Sequence, residues 1–165
     1  MQIIPMWYIA SKIHFHVYLG IMEILLIDDH QRLRVATASM LESTGRFTVC
    51  GQAESLAQAV DFIEKAETLP SIVILDINLG EDYGLDFLPL LEKHCADKKI
   101  AKPPVLVCSA NDDSFTIQTA LKLGATGFLS KISSADDMIE AIDALLSGKA
   151  YVYGEPCGEK TNGQT

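Results

Sequence analysis

The chain has 165 residues, 48% of them hydrophobic, and carries a formal net charge of −9 at pH 7 with a sequence pI near 4.8. That length gives one domain with tails and leaves no room for a second sizeable one, while the acidity argues against this chain gripping nucleic acid or an anionic membrane unaided. Four cysteines, Cys50, Cys95, Cys108 and Cys157, stand apart with no Cys-x-x-Cys pair and no histidine at ligand spacing, which reads as packing thiols in a reducing cytoplasm and not as a disulfide or zinc framework.

Residues 1–21 are apolar and aromatic, but Pro5, Ser11, Lys12, His14 and His16 interrupt them, so they lack the unbroken run of a membrane span. A signal peptide would need a basic start and a small-residue cleavage site, and neither is there. This stretch is expected to lie outside the fold, with a structured dimer contact as the alternative. His14 and His16 alternate with Phe15 and Val17, a pattern that would put the two histidines on one side of a weak strand, and no metal site is expected from them.

From Met22 onward, apolar runs alternate with segments of helical period. Glu23 to Asp29, EILLIDD, is a buried strand ending in an acid pair. Gln31 to Ser43 follows as a helix with Leu33, Ala36, Met40 and Leu41 inward, stopped by Thr44 and Gly45. Phe47 to Gly51 is a short strand, and Ser55 caps a helix carrying Leu56, Ala59, Val60 and Ile63 on one face until Pro70. Ile72 to Leu75 is an apolar, β-branched run of the kind buried on both faces of a parallel sheet; Asp76 ends it and Gly80 and Gly84 close the loop. Leu85 to His94 reads as a helix in which Pro89 fits a first turn or a kink. Val105 to Cys108 is a fourth strand, Ser114 caps a helix burying Ile117, Ala120 and Leu121, and Gly127 to Leu129 is a fifth strand. Ser134 caps a last helix with Met138, Ile142 and Leu145 inward. After Gly148 the chain turns polar and glycine-rich, so residues 150–165 read as a tail or interdomain linker.

Strict alternation of five strands and five helices, joined by right-handed crossovers, implies an α/β fold: a doubly wound (βα)5 sandwich of the flavodoxin-like kind, with a parallel sheet of order 2-1-3-4-5. In such sheets the chemistry gathers at the carboxyl ends of the strands. There the chain offers Asp28 and Asp29 after the first strand, Asp76 after the third, Ser109 after the fourth and Lys131 after the fifth. Singly each has an ordinary role, Asp28 as a helix cap, Ser109 as a turn residue, Lys131 as a surface cation. Together they supply a carboxylate nucleophile, metal-binding acids, a hydroxyl and an ammonium, the parts needed to move a phosphoryl group. Converging acids repel by roughly 4 kcal/mol per pair at contact distance with an effective dielectric near 20, so a cation belongs among them, and hard oxygen ligands suit magnesium.

The set Asp28-Asp29, Asp76, Ser109-Ala110 and Phe128-Leu129-Ser130-Lys131 resembles the receiver domain of two-component response regulators, over about Met22 to Lys149. The segment GATGFLSKISSADDMIEAIDALLSGKAYV is most similar to the NarL/LuxR class, whose receivers usually precede a helix-turn-helix DNA-binding domain, absent from this chain. The resemblance implies that Asp76 is the phosphoacceptor for a sensor histidine kinase and that Asp29, Asp76 and the backbone carbonyl of Asn78 hold Mg2+, with Asp28 acting through water. It further implies that Ser109 and Lys131 contact the phosphoryl oxygens, that Phe128 is the switch aromatic, and that the face made by the fourth helix, fifth strand and fifth helix exchanges partners or dimerises. Direct contact of this segment with nucleic acid or membrane is not implied.

Three departures stand out: Ile132 where many receivers have a cis proline, Gly80 with the extra acids Glu81 and Asp82 near the metal, and Phe128 in place of tyrosine. The rival readings are a magnesium-dependent phosphohydrolase with an aspartate nucleophile, and a scaffold that works without phosphorylation. A nucleotide or flavin binder is disfavoured because the loop after the first strand, DDHQR, is not glycine-rich.

Overall fold

The computed structural model describes residues 20–152 and the backbone of residues 155–157. His14, His16 and most of the N-terminal stretch therefore lie outside the described residues, as do residues 158–165.

The main sheet contains β1 (Met22–Ile27), β2 (Phe47–Ala53), β3 (Ile72–Asp76), β4 (Val105–Ser109) and β5 (Gly127–Ser130). They pair in the order β2-β1-β3-β4-β5, all parallel, as the alternation implied. The connecting helices are α1 (Gln31–Ser43), α2 (Leu56–Lys65), α3 (Phe87–Lys98), α4 (Ser114–Lys122) and α5 (Ala135–Leu146). Side chains alternate across each strand. Leu25, Ile27, Val73, Leu75, Val105 and Val107 face one way, onto Ala59 and Ile63 of α2, Phe87, Leu88 and Leu91 of α3 and Ile117 and Ala120 of α4. Ile24, Leu26, Ile72, Ile74, Leu106 and Cys108 face the other, onto Ala38 and Leu41 of α1 and Ala141, Ile142 and Leu145 of α5. All five residues of β3 are buried, which explains why its sequence is apolar without alternation. Each such Ile, Leu or Val contributes roughly 1.5–3 kcal/mol on leaving water.

Local signals set most of the helix ends. Ser55 accepts a hydrogen bond from the Gln58 N–H, and Ser134 forms a capping box with Asp137. Gly45 follows α1 at φ +69°, a left-handed value that suits glycine. Pro89 sits in the first turn of α3, after a 3₁₀ turn at Gly84–Asp86, so it removes no helical hydrogen bond. At α4 the cap is Asp113 and not Ser114: its carboxylate accepts from the Phe115 and Thr116 N–H groups, leaving Ser114 as the first helical residue. In α1 the inward stripe is also shifted. Leu33 is 42% exposed and Ala36 is exposed, while Ala38 and Leu41 are buried, because Arg34 turns inward to bond the end of β1.

The sheet continues beyond the fifth strand. Ala150–Val152 forms β6, parallel to β5, and Glu155–Cys157 forms β7, antiparallel to β6, so residues expected to be tail or linker extend the fold. Tyr151 is fully buried with Leu129, Ile142 and Leu145. A three-residue run, Ala-Tyr-Val, is too short to carry a strand period, so the pairing with β5 decides it.

Candidate functional site

Asp28, Asp76, Ser109 and Lys131 leave the carboxyl ends of β1, β3, β4 and β5 on one rim of the sheet. Asp76 is 3% exposed and is the last residue of β3. Its Oδ2 accepts a hydrogen bond from Lys131 Nζ at 2.6 Å, and the same ammonium donates to Asp28 Oδ2 at 2.9 Å. One cation thus spans two of the acids. The Asn78 N–H donates to Asp76 Oδ1 at 3.3 Å, tying the loop after β3 to the carboxylate.

Burial pushes the Asp76 carboxyl above the ordinary aspartate value, and the Lys131 bond and charge pull it back part of the way. For Lys131, burial works to lower the value, but the bonds and charges of Asp76 and Asp28 together outweigh it and hold the ammonium above an ordinary lysine. Cys108, paired in register with Asp76, has its thiol pushed up to about 12 by burial, which makes it a packing residue and not a nucleophile.

Asp28 holds the turn into α1 and faces the site as well, although it is not the cap expected of it: the N-cap position of α1 belongs to His30. Its Oδ1 accepts the His30 N–H at 2.7 Å at the entrance to α1, leaving Oδ2 for Lys131. Asp29 completes the acid set: carboxylate oxygens of Asp28, Asp29 and Asp76 and a ring nitrogen of His30 all lie within 4.8 Å of one another. Asp29 Oδ1 is buried against the His30 ring, whose Nδ1 stands 2.8 Å away as an ion-pair contact. Three carboxylates gathered within 4.8 Å against one ammonium leave an excess of negative charge, so the residues fit a divalent cation.

Ser109 is buried; its Oγ accepts the Asn111 N–H at 3.0 Å, and its carbonyl accepts the Lys131 N–H at 2.8 Å. The two residues are therefore coupled through the backbone. Phe128 is fully buried in β5 among Val107, Ile117 and Ala120, so the inward arrangement is held by packing, without a hydroxyl. No cis peptide occurs among the described residues, and Ile132, 89% exposed, follows Lys131 without disturbing its reach to Asp76.

The loop after β3 departs from expectation at Asp82. Strands of two residues, Asn78–Leu79 and Asp82–Tyr83, fold it into a small hairpin. Asp82 Oδ2 accepts the Leu56 N–H at 3.1 Å, so it covers the first turn of α2 instead of joining Asp28, Asp29 and Asp76. Two residues of the site escaped the sequence reading. Arg34, little exposed, donates to the Asp28 carbonyl and to Gln52 Oε1, and lies 3.7 Å from Glu54, pinning the ends of β1 and β2. His30 turns its ring onto the carboxylates, with Nδ1 2.8 Å from Asp29 Oδ1. The only signal for either was position, immediately after the acid pair and one helical turn further on.

The family model of the response regulator receiver domain matches residues 24–143. Over 131 residues the chain is 34% identical to the transcriptional regulatory protein DegU of Brevibacillus brevis, covering 79% of this chain and 52% of that protein. It is 30% identical over 126 residues to the nitrate/nitrite response regulator protein NarL of Escherichia coli strain K12, covering 76% and 55%. The chain spans about half the length of these curated relatives. The solved signal receiver domain of a NarL response regulator from Mycobacterium tuberculosis superposes with a TM-score of 0.68 at 25% identity, covering 79% of this chain and 99% of that one.

Proposed function

The chain belongs to the response regulator receiver domain family, and from that premise we propose that Asp76 accepts a phosphoryl group from the phosphohistidine of a sensor histidine kinase. The observation that carries this reading is the convergence of Lys131 on Asp76 at 2.6 Å and on Asp28 at 2.9 Å, residues far apart in sequence brought to one rim. An Asp76 oxygen attacks phosphorus, the P–N bond breaks, and the donor imidazole leaves as the acyl phosphate forms. Lys131 has three N–H donors and uses two on Asp76 and Asp28, which leaves the third for a phosphoryl oxygen. Ser109 accepts with its oxygen and keeps its own proton to donate to another. Asp29, Asp76 and the Asn78 carbonyl would hold Mg2+, with Asp28 acting through water, and the bound ion would neutralise charge on the transferred oxygens.

The phosphoryl group brings roughly −1.5 to −2 charge and strong acceptor oxygens. Ser109 and the Asn111 loop move toward it, and the backbone bond from Lys131 to Ser109 carries the shift to β5. Phe128 is already inward, so the change on the α4–β5–α5 face begins at this loop. That face exchanges partners or dimerises, and the chain works in the cytoplasm as a phosphoacceptor and not as a turnover enzyme. Control of transcription is supported by the name of the relative DegU as a transcriptional regulatory protein, and a helix-turn-helix DNA-binding domain would be the output that the class resemblance implies. The phosphohydrolase reading is not favoured, since His30 occupies the position where a D-x-D pair would have its second acid.

The test is labelling with acetyl phosphate, or beryllofluoride binding, in magnesium. Wild type is expected to take up one group per chain and Asp76→Asn none. Equal modification of the variant would overturn the assignment.

A further inference from the structure

His30 is used by no step above, yet its ring lies against the acid cluster. It occupies the N-cap position of α1, and its side chain caps nothing there. Its Nδ1 is 2.8 Å from Asp29 Oδ1 and 3.6 Å from Asp28 Oδ1. At that separation the ring nitrogen and the Asp29 oxygen are in ion-pair contact, and the ring offers a nitrogen within 4.8 Å of an oxygen of each of Asp28, Asp29 and Asp76. Two adjacent ligands of one ion have this arrangement: bonds of about 2.1 Å meeting at a right angle place their donor atoms about 3.0 Å apart.

Resting on the reading of Asp28, Asp29 and Asp76 as the cation site, we infer that His30 is a further ligand of the ion they hold. The site is then of mixed nitrogen and oxygen character, and it prefers borderline transition metals such as Mn2+, Co2+ or Zn2+ to Mg2+. Imidazole is a good ligand for transition metals, whereas Mg2+ takes oxygen ligands and gains little from a nitrogen. The side chain of His30 is 68% exposed, so the ring can adjust toward an ion without disturbing packed neighbours.

The experiment loads the full chain with Mn2+ and records pulsed EPR for coupling to nitrogen-14. Wild type is expected to show an imidazole coupling that His30→Ala and His30→Gln both lose. Mn2+ affinity, read from the free-ion EPR signal, should fall about tenfold or more in both variants. Mg2+ affinity by calorimetry should change by less than about twofold, because that ion does not depend on the nitrogen. Circular dichroism checks that α1 remains folded. Bound Mn2+ without nitrogen coupling in wild type, coupling retained in His30→Ala, or equal loss of Mn2+ and Mg2+ would each overturn the role of His30 while leaving the acid site intact. Absence of binding by either metal would overturn the acid site as well.

Discussion

Lys131 Nζ donates to the buried carboxylate of Asp76 across 2.6 Å, and the ammonium is therefore a counterion that the fold itself supplies. Part of the repulsion among the acids is met by the chain itself, which changes what loss of this lysine means. Lys131→Ala leaves two buried or half-buried carboxylates facing each other, and should destabilise the metal-free fold by about 3 kcal/mol. Mg2+ should recover much of that loss, so the rise in Tm on adding saturating Mg2+ is expected to be larger in Lys131→Ala than in wild type. Equal rises in the two proteins, measured by thermal unfolding with and without chelator, would show that Lys131 does not share the acids with a cation.

Asp76 itself lowers stability when ionised. Burial raises its folded-state pKa above the unfolded value of about 3.9. As pH rises through that interval the unfolded chain releases the proton first, so the folded state binds more protons and stability falls with pH, levelling off above the folded pKa. Asp76→Asn removes the effect. In metal-free buffer it should be more stable than wild type at pH 7, by about 1 kcal/mol, with a smaller advantage at pH 4. Urea unfolding at the two pH values checks the sign, and an advantage that shrinks as pH rises would contradict it.

What could be read in the sequence was local or one-dimensional. Apolar runs such as Ile72 to Leu75 disclosed the buried strands, and the acids and lysine directly after them disclosed the rim, because a strand end fixes where the next side chain stands. What could not be read depends on contacts between distant segments. Arg34 displaces Leu33 from the inward face of α1 to reach the Asp28 carbonyl, and Asp82 crosses to the first turn of α2. Neither contact leaves a trace in periodicity. Asp113 and Ser114 are both good caps in adjacent positions, so composition could not choose, and the φ of −66° and ψ of 155° at Asp113 did. The register of β2 is similar: a bulge between the partners of Ile24 and Leu25 extends the strand to Ala53, past the glycine that seemed to end it.

Gly84 closes the loop beneath Asp76, and its importance is space. A Cβ at this position would stand 2.0 Å from the Asp76 carbonyl oxygen and 3.0 Å from that of Ile77, both backbone atoms that cannot swing aside. Its N–H also donates to the Ile77 carbonyl at 2.6 Å. Gly84→Ala should therefore cost about 2–3 kcal/mol and displace the end of β3. Phosphodonor labelling should fall with stability, in contrast to Gly148→Ala, whose Cβ meets nothing within 4 Å and whose cost is only the strain of a φ of +80°. Chemical denaturation and acetyl phosphate labelling of the two variants separate crowding at the site from backbone strain away from it.

Tyr151 tests whether residues after α5 belong to the domain. Its ring is fully buried against Leu129, Ile142 and Leu145, and its hydroxyl has no hydrogen-bond partner among the described residues. Burial pushes the phenol above its ordinary pKa, with the charges of Glu140 and Asp137 adding to the effect. Removing the ring should be expensive: Tyr151→Ala opens a cavity under β6 and is expected to cost about 3–5 kcal/mol. Removing only the hydroxyl should help, because a buried unsatisfied polar group costs about 1–3 kcal/mol, so Tyr151→Phe is expected to stabilise the protein. The two substitutions have opposite signs only if β6 is packed in solution. A chain in which residues 150–152 were merely a linker would show almost no change in urea midpoint for either variant.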